Sequence, residues 1–237
     1  MGSYKIWRLL TGSSKGIVCV SGLIFDIDNT LYHHPEYHAA GTRGEISQIA
    51  SILGHSYDDM KSVIAMRKQD IALRLDRPAT MTETVLSLGI TREEWNQLRC
   101  LAWQPEDWLT SDQQICELMI RLNTSYKIAF ATNSPIAIGR RVLQSIGIMG
   151  VMPEALVFGP ESFGVSKPNP SFFSLIAQEL GLRARKCVSI GDREEADGTP
   201  AIAADYAYAL IVPGNPHALV KAVLKLLDQT RMEVVHG

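Results

Sequence analysis

Cysteine is scarce and unpaired along this chain. Cys19, Cys100, Cys116 and Cys187 form no CxxC motif, so neither a zinc ribbon nor a disulfide framework is expected. They suit reduced thiols packed as small hydrophobes. Basic excess is also missing. Lys and Arg total 23 against 25 Asp and Glu, a formal net charge of -2, so no global field draws nucleic acid or an anionic membrane. The apolar run from Ile17 to Phe25 is broken by Ser21 and Gly22 and falls far short of the roughly 20 residues a membrane span needs. Met1 to Leu10 carries Lys5 and Arg8, but TGSSKG follows at once and no signal-peptide apolar region develops. Ile6 stands where N-myristoylation wants Ser or Thr. TGSSKG itself lacks the spacing of a phosphate loop and is set aside. No internal repeat, low-complexity stretch or long charge run appears. The expectation is a cytoplasmic protein with neither nucleic acid nor membrane as partner.

What is present is an ordinary globular composition, 46% apolar and 20% charged over 237 residues, enough for a core with an inserted second module. Four short apolar runs read as strands buried on both faces: Gly22–Ile27, Lys127–Ala131, Cys187–Ile190 and Ala207–Val212. Ala155–Phe158, closed by Gly159 and Pro160, is a weaker fifth. Helices are expected over Pro135–Ile146, Asn169–Leu180 and Pro216–Gln229, the first two stopped by Gly147 and Gly181. This alternation from Ser111 onward argues for a doubly wound α/β parallel sheet with right-handed crossovers. Between Tyr32 and Thr110 the texture changes: His34–Leu53, Ser56–Leu75, Met81–Leu88 and Arg92–Trp103 all suit helices, and no strand-like run appears. The chain therefore reads as an all-α block inserted after the first strand of an α/β core.

Open α/β sheets bind ligands at the carboxyl ends of their strands. The first strand is followed there by Asp26, Asp28 and Thr30, and the second by Thr132, Asn133 and Ser134. The weak strand leads to Ser166-Lys167-Pro168, and CVSI leads to Gly191-Asp192 and Asp197. Carboxylates at i and i+2 on an extended segment point the same way, and with Asp192 they make an oxygen-rich cluster suited to Mg²⁺. Such an ion offsets their mutual repulsion and lets one carboxylate attack an anionic phosphate. Lys167 supplies further positive charge and the Thr132 hydroxyl a phosphate contact. A lone DxD or a lone Gly-Asp is a common turn. Here four such motifs occur in order, each after its own strand.

Together FDIDNTLY, ATNS, SKPNP and GDREEAD resemble the four motifs of the haloacid dehalogenase-like superfamily, in its phosphatase branch with a helical cap inserted after the first strand. The resemblance implies a HAD-like, Rossmannoid core over 17–32 and 111–237 and a helical cap over 33–110. It implies an aspartyl-phosphate on Asp26, with Asp28 as general acid and then base. It implies Mg²⁺ held by the Asp26 carboxylate, the Asp28 main-chain carbonyl and Asp192. Thr132 and Lys167 would bind the phosphoryl group, Asn133 would add a backbone contact, and Asp197 would orient Lys167 or metal-bound water. Thr30 would tie the loop so that Asp28 is aimed. An acid at position 28 favours phosphate esters, since dehalogenating relatives lack one there.

Two departures from the family pattern stand out. Arg193 follows Asp192 where a small residue is frequent and reads as a solvated loop residue; Asp205, where glycine is frequent, reads as an exposed turn. In the cap, Arg43, Arg67, Lys68 and Arg74 offer two readings, contacts to a second anionic group of the substrate or a solvated face, and the solvated face is expected for most of them. His33, His34 and His38 are expected near the mouth of the site rather than on zinc. Trp95, Trp103 and Trp108 are expected in the cap core. The expected function is a Mg²⁺-dependent phosphatase, a phosphoric monoester hydrolase acting on a small phosphorylated metabolite. Sugar phosphates, phosphoglycolate and nucleoside monophosphates are the candidates, the pyrimidine-nucleotidase-like resemblance favouring nucleotides slightly. A mutase-type phosphotransferase or a non-catalytic metabolite-binding protein are the alternatives, and monomer or homodimer stays open.

Overall fold

A computed structural model of the chain describes residues 4–8 and 19–235. The Met1–Gly2 start, the TGSSKG segment and positions 17–18 of the expected core lie outside these residues. Six strands form one sheet: β1 (Lys5–Arg8), β2 (Gly22–Asp26), β3 (Lys127–Ala131), β4 (Leu156–Phe158), β5 (Cys187–Gly191) and β6 (Tyr208–Ile211), in the order β1-β6-β5-β2-β3-β4. The five strands from β2 to β6 pair in parallel, and β1 adds an antiparallel edge, Lys5 opposite Ile211. The α/β class with a parallel sheet is as the alternating pattern predicts. β1 is an addition the sequence reading did not contain: four residues with a charge at each end carry no apolar run, and it is the pairing with β6 that makes them a strand.

Every residue of β2 is buried, because helices cover both faces of a parallel sheet. Register then places the site. Asp26 lies opposite Ala131 and Phe25 opposite Ile190, so Ile27, Thr132 and Gly191 leave the sheet side by side. The chain passes from β2 to β3 and β4 on one side and returns to β5 and β6 on the other. β2 and β5 thus flank the topological switch point, where open sheets leave a crevice.

Pro35–Trp108 forms one compact unit, and the described residues on either side of it form the other. The first is built of α1 (Pro35–Leu53), α2 (Tyr57–Leu75), α3 (Met81–Ser87) and α4 (Arg92–Ala102). Its starts are written locally. Ser56, Thr80 and Thr91 cap α2, α3 and α4, and Glu83 and Glu94 complete reciprocal capping boxes. Ile46, Ile49, Met60, Ile64, Val85, Trp95 and Leu98 make its core. Buried Glu45 on α1 accepts from Arg99 Nε at 3.1 Å and Trp103 Nε1 at 2.7 Å. Trp95 is buried as expected and Trp103 is half-buried, but Trp108 is 38% exposed and no part of a core: it ends a 3₁₀ turn, Pro105–Asp107, in which Pro105 is buried while Glu106, Asp107 and then Trp108 face outward. Arg43 and Arg74 are exposed, and Arg67 and Lys68 are half-buried.

Around the sheet lie α5 (Gln113–Asn123), α6 (Ile136–Ser145), the single turns α7 (Ile148–Val151) and α8 (Pro160–Phe163), α9 (Pro170–Glu179), α10 (Thr199–Ala203) and α11 (Pro216–Val235). α9 starts as the Asn-Pro pair predicts, with Asn169 accepting from Ser171 N–H, and Gly181 follows at φ +64°. α11 runs six residues beyond the expected end at Gln229. No helix among the described residues is long and apolar enough to cross a membrane.

Candidate active site

The turn after β2 is folded by Asn29, which takes φ +61°, a left-handed conformation that asparagine tolerates. It lets Thr30 N–H and Leu31 N–H both reach Ile27 C=O, and Thr30 comes back over the strand end. There the Thr30 hydroxyl donates to Asp26 Oδ2 at 2.8 Å. Thr30 therefore positions Asp26, not Asp28 as the resemblance led us to expect. The residue bonded to Asp28 on this turn is Tyr32, whose hydroxyl donates to Asp28 Oδ1 at 2.7 Å. From β3, the hydroxyls of Thr132 and Ser134 both donate to Asp28 Oδ2 at 3.3 Å, and Thr132 Oγ1 accepts from Ser134 N–H at 2.9 Å.

Lys167 arrives from the loop after α8, its side chain 1% exposed. Nζ donates to Asp26 Oδ1 at 2.5 Å and to Asp197 Oδ1 at 2.7 Å. Its backbone is braced as well: Asn133 Nδ2 donates to Lys167 C=O at 3.0 Å. So the Asn133 side chain holds the lysine loop, a contact that no motif spacing predicts. Asp197 lies on a π-helical turn, Glu194–Gly198, whose wide geometry carries it inward to the β5 end. Its second oxygen accepts from Arg193 N–H at 3.2 Å. Gly191 is required by this approach, since a Cβ there would fall 2.3 Å from Asp197 Cγ. Arg193 lies in the open, its Nε 3.8 Å from Asp192 Oδ1. Asp205 occupies a turn at φ +70°, which explains a glycine preference at that place, and accepts from Arg185 Nε at 2.6 Å.

Electrostatics separate these carboxylates. Desolvation pushes Asp26 up to about 7, aided by Asp197 and Asp28 and opposed by Lys167. Burial also raises Asp192, with Asp197 adding to it. For Lys167 burial works against the charge, yet Asp26 and Asp197 outweigh it and hold the ammonium firmly protonated. Asp26, Asp192 and Asp197 each bring an oxygen within 4.8 Å of the others, an all-oxygen donor set of the kind hard divalent cations take. The Asp28 carboxylate is outside this group, held by its hydroxyl partners; its expected part in metal binding was its main-chain carbonyl. Among the described residues, Asp26, Asp28, Asp192 and Asp197 outnumber the cations Lys167 and Arg193 beside them, so a divalent ion fits by charge as well as by donor type.

A family model described as haloacid dehalogenase-like hydrolase matches residues 20–205. The chain belongs to the haloacid dehalogenase-like hydrolases. It is 29% identical over 209 residues to a phosphoglycolate phosphatase of Cereibacter sphaeroides, covering 84% of this chain and 88% of that one. It is 26% identical over 200 residues to a phosphoglycolate phosphatase of Pectobacterium atrosepticum, covering 81% and 83%. Among solved structures, a hydrolase from Pseudomonas syringae superposes with a TM-score of 0.57 at 18% identity, over 89% of this chain and 98% of that one. That likeness bears on the fold. As a haloacid dehalogenase-like hydrolase the chain is an enzyme, as its motifs predict.

Proposed function

We propose that this hydrolase is a phosphomonoesterase that works through a phosphoryl group carried on Asp26. One observation carries the reading. Asp26 and Asp28, two residues apart, have unlike surroundings: Asp26 is desolvated and bonded by Lys167 and Thr30, while Asp28 is bonded by three hydroxyls. Paired carboxylates with different environments take different parts in a reaction.

In the first step an Asp26 oxygen attacks phosphorus and the bond from phosphorus to the ester oxygen breaks. Asp28 delivers its proton to that leaving oxygen. In the second step water attacks the phosphorus of the acyl phosphate and Asp28 takes the water's proton. The bond to Asp26 breaks, inorganic phosphate leaves, and both carboxyl groups return to their starting state. Lys167, fixed by Asp197, and the Thr132 hydroxyl steady the phosphoryl oxygens, and Asn133 keeps the lysine loop in place. Asp26 and Asp192, with the Asp28 main-chain carbonyl, would hold Mg²⁺, which when bound offsets the charge gathered by carboxylates and phosphate.

The substrate class is a small phosphorylated metabolite. The likeness to two phosphoglycolate phosphatases supports phosphoglycolate as the first candidate, ahead of sugar phosphates and nucleoside monophosphates. The inserted all-α unit would act as the cap that selects among them. Phosphate release across such a panel, with Mg²⁺ and with chelator, tests the reading. Release that chelation stops is expected. Release indifferent to chelator removes the metal from the account, and an isomerised ester in place of free phosphate makes the protein a phosphotransferase.

A further inference from the structure

Among the described residues, Arg193 is a cation beside the clustered carboxylates that the proposed chemistry leaves unused. Its backbone is fixed in an extended conformation, φ -123° and ψ 124°, by the N–H bond to Asp197. It stands next to Asp192 and emerges between two of the clustered carboxylates in sequence. Yet its side chain is 53% exposed, and Nε lies 3.8 Å from Asp192 Oδ1, beyond hydrogen-bond distance. Among the described residues the guanidinium makes no hydrogen bond, so its donors remain open. The neighbouring Glu194 is engaged elsewhere, 3.2 Å from Lys5 Nζ.

We propose that Arg193 is a specificity-determining residue that receives a second anionic group of the substrate, a carboxylate carried close to the phosphate. The inference rests on the phosphatase reading above. Asp192 holds the guanidinium beside the site by charge without using up its donors. A planar fork of N–H groups matches the two oxygens of a carboxylate, which a lysine ammonium does not. The phosphoryl group is taken by Lys167 and Thr132 in the proposed reaction, so an anion elsewhere on a short ester needs a different cation, and Arg193 stands beside Asp192 with its donors open.

The test compares 2-phosphoglycolate with 2-hydroxyethyl phosphate, which replaces the carboxylate by a hydroxymethyl group, in wild type, Arg193→Ala and Arg193→Lys. The expected result is that Arg193→Ala raises KM for 2-phosphoglycolate about 10-fold more than KM for 2-hydroxyethyl phosphate, the size of a charged hydrogen bond at an exposed site. Arg193→Lys should recover part of that difference. If both KM values shift alike, Arg193 serves only Asp192 and the inference fails while the phosphatase reading stands. If wild type releases phosphate from neither ester nor from the wider panel, the phosphatase reading falls and the inference with it. A variant that fails to fold gives no turnover on either ester; Arg193→Lys, which keeps the charge, then supplies the comparison.

Discussion

Asp26 and Asp28 share a residue type and a strand end, but their bonds differ, and so do the losses expected from altering them. If Asp28 is the proton donor as proposed, Asp28→Asn should lower phosphate release from an alkyl ester far more than release from an ester with a good leaving group such as p-nitrophenyl phosphate. Tyr32→Phe removes only the 2.7 Å bond that aims Asp28. Its loss on the alkyl ester should be nearer 3- to 10-fold, about 1 kcal/mol for one hydrogen bond. Steady-state rates on the two esters check both, and equal losses on both from Asp28→Asn would count against its acid role. At this scale the sequence was legible in which residues the motifs bring together: Asp26, Asp28, Thr132, Lys167, Asp192 and Asp197 all reach one rim. It was silent on who holds whom. Thr30 turns back to Asp26 because Asn29 takes a left-handed φ, and Tyr32 replaces it at Asp28. Both contacts depend on how one turn closes, which spacing alone does not determine.

Elements were legible where caps and punctuation wrote their ends. Thr80 and Glu83 form a reciprocal capping box at the start of α3, and Glu83 also meets Arg77. Thr80→Ala should lower stability by about 1 kcal/mol, read as a drop in thermal midpoint. Bonds from Arg77 and from Thr80 hold Glu83 well down, at about 2. A carboxylate lowered in the folded state stabilises above its ordinary range and loses that contribution as pH falls towards about 2. The midpoint difference between wild type and Glu83→Gln should therefore be present at pH 7, small because Glu83 is partly solvated, and shrink below about pH 4. A difference that grows on acidification would contradict the assignment. The π-helical turn at Glu194–Gly198 was not legible, since nothing in GDREEAD distinguishes it from an ordinary helical turn; the tertiary bond from Asp197 to Lys167 shows what its extra width achieves. Gly191→Ala pushes a methyl into Asp197, so phosphate release should fall at least 10-fold while the protein still unfolds cooperatively on heating. Unchanged turnover would mean that Asp197 need not be where it is.

At the scale of the whole molecule, the order of strands turns distant segments into one site. Asp26, Thr132, Lys167 and Asp192 come from four stretches of chain, and the parallel register of β2, β3 and β5 delivers them together at the switch point. The alternation of apolar runs and helices announced that topology. The edge strand β1 escaped it because its pairing with β6 is long-range. The account's central claim concerns Asp26, and mass spectrometry after acid quench of a single turnover tests it most directly. Mixed with p-nitrophenyl phosphate and Mg²⁺, the enzyme should carry a phosphoryl group on the peptide containing Asp26. More of it should be trapped in Asp28→Asn, where the second step lacks its base, and none in Asp26→Asn. Turnover at the wild-type rate by Asp26→Asn, or release of phosphate with no label ever on Asp26, would contradict the account.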